Sequence, residues 1–192
     1  MSDIEQKIKI NGIKSGILLG VIITALSIIS YYFITTTKSP ALFVAAPILF
    51  SVFIPIFCVV FLCFNQRKKI CGFWTFKQAT TGIFVSFLIA YLIQFICVTL
   101  IFNNFVAPDN LQKTQTAAIN MKTIILKQRG DKQASIDKDI AEMQKDFNQQ
   151  KNATIGSTIQ GVVISILFIF LFALIFGSLF KKDPPAYTTQ AT

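Results

Sequence analysis

Residues 155–180 read IGSTIQGVVISILFIFLFALIFGSLF, 26 positions without a charged side chain. A helix rises about 1.5 Å per residue and needs roughly 20 residues to cross the hydrocarbon core of a bilayer. Three further stretches meet the same condition, 16–35, 41–64 and 79–102. The pattern predicts an all-α fold, a four-helix transmembrane bundle in a single membrane domain covering 1–192. The chain is 53% hydrophobic, and its spans occupy about half of it, so little is left for a separate soluble domain.

The same absence of charge narrows the function. None of the four stretches holds an Asp, Glu, Lys, Arg or His, the residues that mark ion pathways and proton relays. The chain has no histidine at all, which removes the commonest metal ligand and the usual general base near neutral pH. Cys58 and Cys97 fall inside spans, Cys63 and Cys71 flank the following loop, and no CxxC spacing occurs. They read as small apolar packing residues, so no metal or other cofactor is expected. There is no Ser paired with a base, no carboxylate pair and no glycine-rich phosphate loop. The expectation is a non-enzymatic protein.

A net charge of +9 in a soluble chain would suggest nucleic acid; here it follows membrane topology instead, and no nucleic-acid partner is expected. Lys7, Lys9 and Lys14 precede the first span. Arg67, Lys68, Lys69 and Lys77 lie between the second and third, and Lys181 and Lys182 follow the fourth. Only Lys38 lies between the first two spans. Basic residues near span ends stay cytoplasmic, which puts both termini and the 65–78 loop inside and the 103–154 loop outside. The first span is too long for a signal-peptide core, and Tyr31, Tyr32 and Phe33 stand where small residues should precede a cut, so it reads as retained.

The 36–40 connection is short enough to force an antiparallel hairpin, with Pro40 at or just before the start of the second helix. Pro47 and Pro55 each remove a backbone hydrogen bond from that helix and are expected to bend it. They lie within roughly 80° of each other around its axis. Whether such bends act as hinges or are ordinary features of a spanning helix is open at this level.

The 103–154 loop carries the one sizeable polar region. Residues 109–128 read as helix, with Leu111, Met121, Ile124 and Ile125 tending to one side and Gly130 suited to a left-handed C-cap. Ser135 looks like the N-cap of a second helix in which Ile136, Ile140, Met143 and Phe147 form a narrow apolar stripe. The expected structure is an amphipathic helical hairpin over about 109–150. Its stripes either pack on each other or bind a partner. Asn152-Ala153-Thr154 matches the glycosylation pattern but abuts the fourth span.

Small residues recur every fourth position in three spans: Gly16 and Gly20; Gly82, Ser86 and Ala90; Ser157, Gly161 and Ser165. Such stripes let helix backbones approach closely in lipid, where the hydrophobic effect no longer draws helices together. They are candidate contacts inside the bundle or with a partner. Gln94, deep in the third span, is the candidate interhelical hydrogen-bonding group, while a ladder of polar residues that would line a transport path is not visible.

The order of features has a counterpart. Lys14-Ser15-Gly16-Ile17-Leu18-Leu19-Gly20 opens the first span, and the basic turn Gln66-Arg67-Lys68-Lys69 leads into Gly72-Phe73-Trp74-Thr75-Phe76-Lys77-Gln78-Ala79. An insert containing Ala141-Glu142-Met143 precedes the last span, which ends Phe180-Lys181-Lys182. The arrangement resembles a family of small four-span bacterial membrane proteins, widespread in Bacteroidota, known only as domain of unknown function 4199. The resemblance covers nearly the whole chain. It implies a bacterial inner membrane and a periplasmic 103–154 loop, and supplies neither an activity nor site residues. The function expected is an accessory or structural subunit of a larger membrane assembly. Its partners would be the lipid bilayer and other membrane proteins or itself; the alternative is a small transporter or channel working as an oligomer.

Overall fold

A computed structural model describes residues 3–70, 72–151 and 154–183. Cys71 and the Asn152-Ala153 pair of the glycosylation pattern lie outside the described residues. The described residues are mostly helical: α1 (Asp3–Thr36), α2 (Pro40–Ile48), α3 (Ile54–Lys69), α4 (Phe76–Gln94), α5 (Asn110–Arg129), α6 (Gln133–Lys151) and α7 (Ile155–Phe180). Two π-helical segments, Leu49–Phe53 and Phe95–Val106, join α2 to α3 and extend α4. Four continuous stretches, Asp3–Thr36, Pro40–Lys69, Phe76–Val106 and Gly156–Phe180, are long and apolar enough to cross a membrane. Their large side chains point outward, Phe57 at 75% exposure, Phe61 at 66% and Leu179 at 71%, a surface suited to lipid rather than water.

The helices overrun the charge-free stretches. α1 begins at Asp3, with Asp3 and Glu5 in its first turn, where the helix dipole favours negative charge. α3 continues to Lys69, so Gln66 is helical rather than part of a loop; Arg67, Lys68 and Lys69 sit in its last turn, where positive charge is favoured. Lipid excludes charge, but hydrogen bonding along a helix does not stop at the first charged residue. The α4 start is set by a capping box, with the Gln78 N–H donating to Thr75 Oγ1 and the Thr75 N–H to Gln78 Oε1.

Pro40 opens α2, and the two prolines expected to bend the second span bracket its π-helical turn. Pro55 has no N–H to donate; just ahead of it, the Ile54 N–H donates to the Leu49 carbonyl, five residues back. In the other π segment the β-branched Ile96, Val98, Thr99 and Ile101 crowd the backbone. There Asn104 Nδ2 donates to the carbonyls of Thr99 and Leu100, competing with the regular ladder.

Contacts divide the described chain into two units. The terminal unit comprises 3–23, 55–95 and 161–183. Its α1 and α4 segments meet through small residues in register. A Cβ on Gly12 would lie 3.0 Å from the Gly82 carbonyl oxygen, one on Gly16 2.7 Å from that of Ser86, and one on Gly20 3.0 Å from Ala90 Cα. Numbers rise together along both helices, so they run parallel, as the first and third of four alternating spans must. At this interface Gln66 Nε2 donates to Ser86 Oγ (2.8 Å), and Ser86 Oγ lies 3.0 Å from the Gly12 carbonyl and 2.9 Å from that of Gly82. One hydroxyl thus links α1, α3 and α4. α7 packs here through Ala173 and through Gly177, which lies directly against Thr80. Phe170, Phe176 and Phe180 meet Phe84, Phe87 and Phe64 edge to face. Trp74, fully buried, exchanges both backbone hydrogen bonds with Lys182, at 2.7 and 2.8 Å. That pairing, the one β-bridge among the described residues, joins the aromatic turn ahead of α4 to the end of α7.

The hairpin unit comprises 24–54 and 96–160. α5 and α6 form the expected hairpin. Gly130 closes α5 in a left-handed conformation (φ 83°), and the Asp131 N–H donates back to the Leu126 carbonyl (3.2 Å). Ser135 is not the cap of α6. The helix starts at Gln133, because the Lys132 carbonyl already accepts from Ser135 and Ile136, and Gln133 Nε2 donates to Asp137 in the first turn. Ile136 is buried, Ile140, Met143 and Phe147 are half-buried, and Lys122 pairs with Asp139 between the two helices at 3.4 Å.

Candidate functional site

The residues singled out in the sequence have different surroundings. Gly16, Gly20, Gly82, Ser86 and Ala90 come together in the α1–α4 interface of the terminal unit. Ser157, Gly161 and Ser165 do not join them. Ser157 is exposed, Ser165 Oγ donates to the Gly161 carbonyl of its own helix (2.8 Å), and a Cβ on Gly161 would meet nothing within 4 Å. Gln94, half-buried at the end of α4, is partnered. The interhelical amide bond to Ser86 comes from Gln66, which the sequence places in a loop because it precedes Arg67. The capping box at Thr75 and Gln78 was legible as Thr-x-x-Gln ahead of an apolar run.

The hairpin unit contains what the sequence does not display, a gathering of polar side chains. A cavity of about 260 Å³ is walled by Ser30, Tyr31, Ser51, Asn103, Asn110 and Thr114, with Phe102 among its apolar neighbours. Four separate segments supply it: α1, the π-helical turn of the second span, the π-helical end of the third, and α5. Both π segments therefore contribute to one wall, and such irregularities recur at functional sites. A shift to five-residue pairing rotates the residues that follow it, a local route for bringing Ser51 and Asn103 to the same cavity. Each hydroxyl looks unremarkable in its own span, so the polar grouping emerges only when the segments meet.

The polar side chains are partly ordered by one another. Thr114 Oγ1 donates to Asn110 Oδ1 (3.3 Å), and Asn110 Nδ2 donates to Asn103 Oδ1 (2.7 Å). That leaves the Asn103 amide nitrogen without a partner among the described residues. Ser30 is only 7% exposed, and its hydroxyl likewise has none. Tyr31 and Phe102 meet edge to face with ring centroids 5.4 Å apart. Tyr31 also lines a larger groove of about 740 Å³ with Tyr32, Gln112, Asn120 and the Asp109–Lys113 ion pair, whose charged atoms are 2.9 Å apart. The hydrogen bond from Lys113 holds the Asp109 carboxyl below the usual carboxylate range, and Asp109 holds the Lys113 ammonium above its usual range.

Chemically the cavity offers hydroxyls, carboxamides and aromatic edges set among the aliphatic Ile28, Ile34 and Val98, and none of its lining residues is charged. Among the described residues no three Cys, Asp or Glu side chains are placed to hold a metal ion. No curated protein and no solved structure matches the chain. A family model does, over residues 14–182, a span that runs from the α1 glycines to the Lys182 that pairs with Trp74. The chain belongs to the family described as "Protein of unknown function (DUF4199)".

Proposed function

We propose that this chain is a non-enzymatic integral protein of a bacterial inner membrane, docking as an accessory or structural subunit into a larger membrane assembly. One contrast carries the reading. Gly12, Gly16, Gly20, Gly82 and Gly177 each face atoms of another helix or of the Trp74 turn, whereas Gly161 faces open space on a helix whose Ser157 and Ser165 continue the same four-residue spacing. In lipid, small residues in that pattern serve close helix approach, and among the described residues no atom of another helix lies within 4 Å of a Cβ at Gly161. The reading puts both termini and the basic 65–78 segment in the cytoplasm, supported by the nine Lys and Arg residues near those span ends.

A photo-crosslinking residue at position 161, expressed in native cells, tests the docking. Adducts to a different membrane protein are expected, with none from a control at position 177. Protein that migrates as a lone monomer, with neither adduct nor co-purifying partner, overturns the reading. A periplasm-active reporter inserted after Gly130 is expected to give signal, and one fused after Thr192 to give none; the reverse would overturn the orientation.

A second reading is a small transporter or channel working as an oligomer, and the polar cavity of the hairpin unit favours it. Solute flux in reconstituted vesicles that Asn103→Leu abolishes would select it over the subunit reading.

A further inference from the structure

We infer that the cavity walled by Ser30, Tyr31, Ser51, Asn103 and Asn110 is a binding site for a neutral, hydroxyl-rich group, a sugar or similar polyol. Three observations select that chemistry. First, the lining presents hydroxyls and carboxamides beside apolar Ile28, Ile34, Val98 and Phe102, without a Lys, Arg, Asp or Glu. An ionic ligand would lose its hydration there and gain no counter-charge, whereas neutral hydroxyls exchange water for protein partners at little cost. The Asp109 and Lys113 charges on the neighbouring groove already neutralise each other.

Second, hydrogen-bonding capacity is left over. The Thr114–Asn110–Asn103 chain fixes the two carboxamides and leaves the Asn103 amide nitrogen as a donor. The Ser30 hydroxyl, on a residue only 7% exposed and without a hydrogen bond among the described residues, adds a donor and an acceptor on the cavity wall.

Third, size and shape fit one ring. About 260 Å³ lies just below the usual range of small-molecule sites, too small for a whole lipid and adequate for one sugar-sized headgroup. The Tyr31 and Phe102 rings supply apolar surface for the C–H face of such a ring, while its hydroxyls meet the serines and asparagines. Ser30 lies within a span-length helix, so the group can arrive free in water or as the headgroup of a lipid.

The test uses full-length protein in a sugar-free zwitterionic detergent, following thermal unfolding with added glucose, glucosyl-diacylglycerol, phosphatidylcholine or phosphatidylglycerol of matched chains. At a hundredfold excess over Kd the midpoint is expected to rise by about 5–10 °C with a glucose-bearing probe. A rise with both glucose and the glycolipid identifies the headgroup alone as sufficient; a rise with the glycolipid alone identifies a lipid-borne sugar. Ser30→Ala removes a hydroxyl that holds nothing in the fold. It is expected to leave the ligand-free midpoint unchanged and weaken binding of the probe about 3–10-fold. Asn103→Leu is expected to weaken it further. The inference is overturned if neither glucose-bearing probe shifts the midpoint, if either phospholipid shifts it as much, or if Ser30→Ala binds as tightly as the parent.

Discussion

Two glycine-to-alanine substitutions, identical in chemistry, are expected to move stability in opposite directions. Alanine favours a helix over glycine by up to about 1 kcal/mol, and both Gly16 and Gly161 are helical. At Gly161 the new methyl meets nothing within 4 Å, so Gly161→Ala is expected to be neutral or up to about 1 kcal/mol stabilising. At Gly16 the methyl would lie 2.7 Å from the Ser86 carbonyl oxygen and 2.8 Å from Ile89 Cβ, close to the α4 backbone, which cannot swing aside. Overpacking of this kind costs typically about 1–3 kcal/mol. Separating α1 from α4 also stretches the 3.0 Å Ser86–Gly12 hydrogen bond, and interhelical bonds in membranes average about 0.6 kcal/mol. Less the propensity gain, Gly16→Ala is expected to destabilise by about 1–2.5 kcal/mol. Reversible unfolding in mixed micelles titrated with SDS, read by the fluorescence of Trp74, the single tryptophan, measures both variants. A Gly16→Ala protein that resists SDS as well as the parent would refute the close approach of α1 and α4.

Ser86→Ala leaves the buried Gln66 amide without its acceptor and is expected to cost about 1–3 kcal/mol; Gln66→Leu in the same background, which removes the orphaned amide, should recover part of that loss in the same SDS titration. Gly130→Ala places a Cβ on a residue at φ 83° and is expected to destabilise the hairpin by about 1 kcal/mol, seen as faster amide exchange through α5 and α6. The Asp109–Lys113 pair contributes above the unfolded carboxylate pKa of about 4 and below the unfolded lysine pKa of about 10. Its Asp109 share is lost as pH falls through the lowered folded value and its Lys113 share as pH rises through the raised one. A carbon-13 titration of the Asp109 carboxyl should move upward in Lys113→Gln, and an unmoved curve would remove the pair from the groove.

How much of this was legible in the sequence depends on the range over which each feature is decided. The four spans follow from local composition, because a bilayer excludes charge over about 20 residues wherever they stand in the chain. Gly130 could be read as a C-cap because only its own backbone conformation matters, and the α6 stripe because helical periodicity repeats within a few turns. The Ser135 cap was missed by three residues because a backbone carbonyl, that of Lys132, started the helix first. The Gln66–Ser86–Gly12 link joins residues 20 and 74 positions apart, and no local pattern distinguishes Gln66 from a polar loop residue. Small-residue stripes look alike along the chain, yet the α1 and α4 stripes are filled and Gly161 is open, since which face meets a neighbour depends on how the helices are arranged. The polar cavity lies furthest from the sequence. Composition alone determined that this chain has four stretches long and apolar enough to cross a membrane. Tertiary structure decided that Ser30, Ser51, Asn103 and Asn110 share one cavity, because hydroxyls and amides scattered over four segments become a site only when packing and two π-helical segments bring them together.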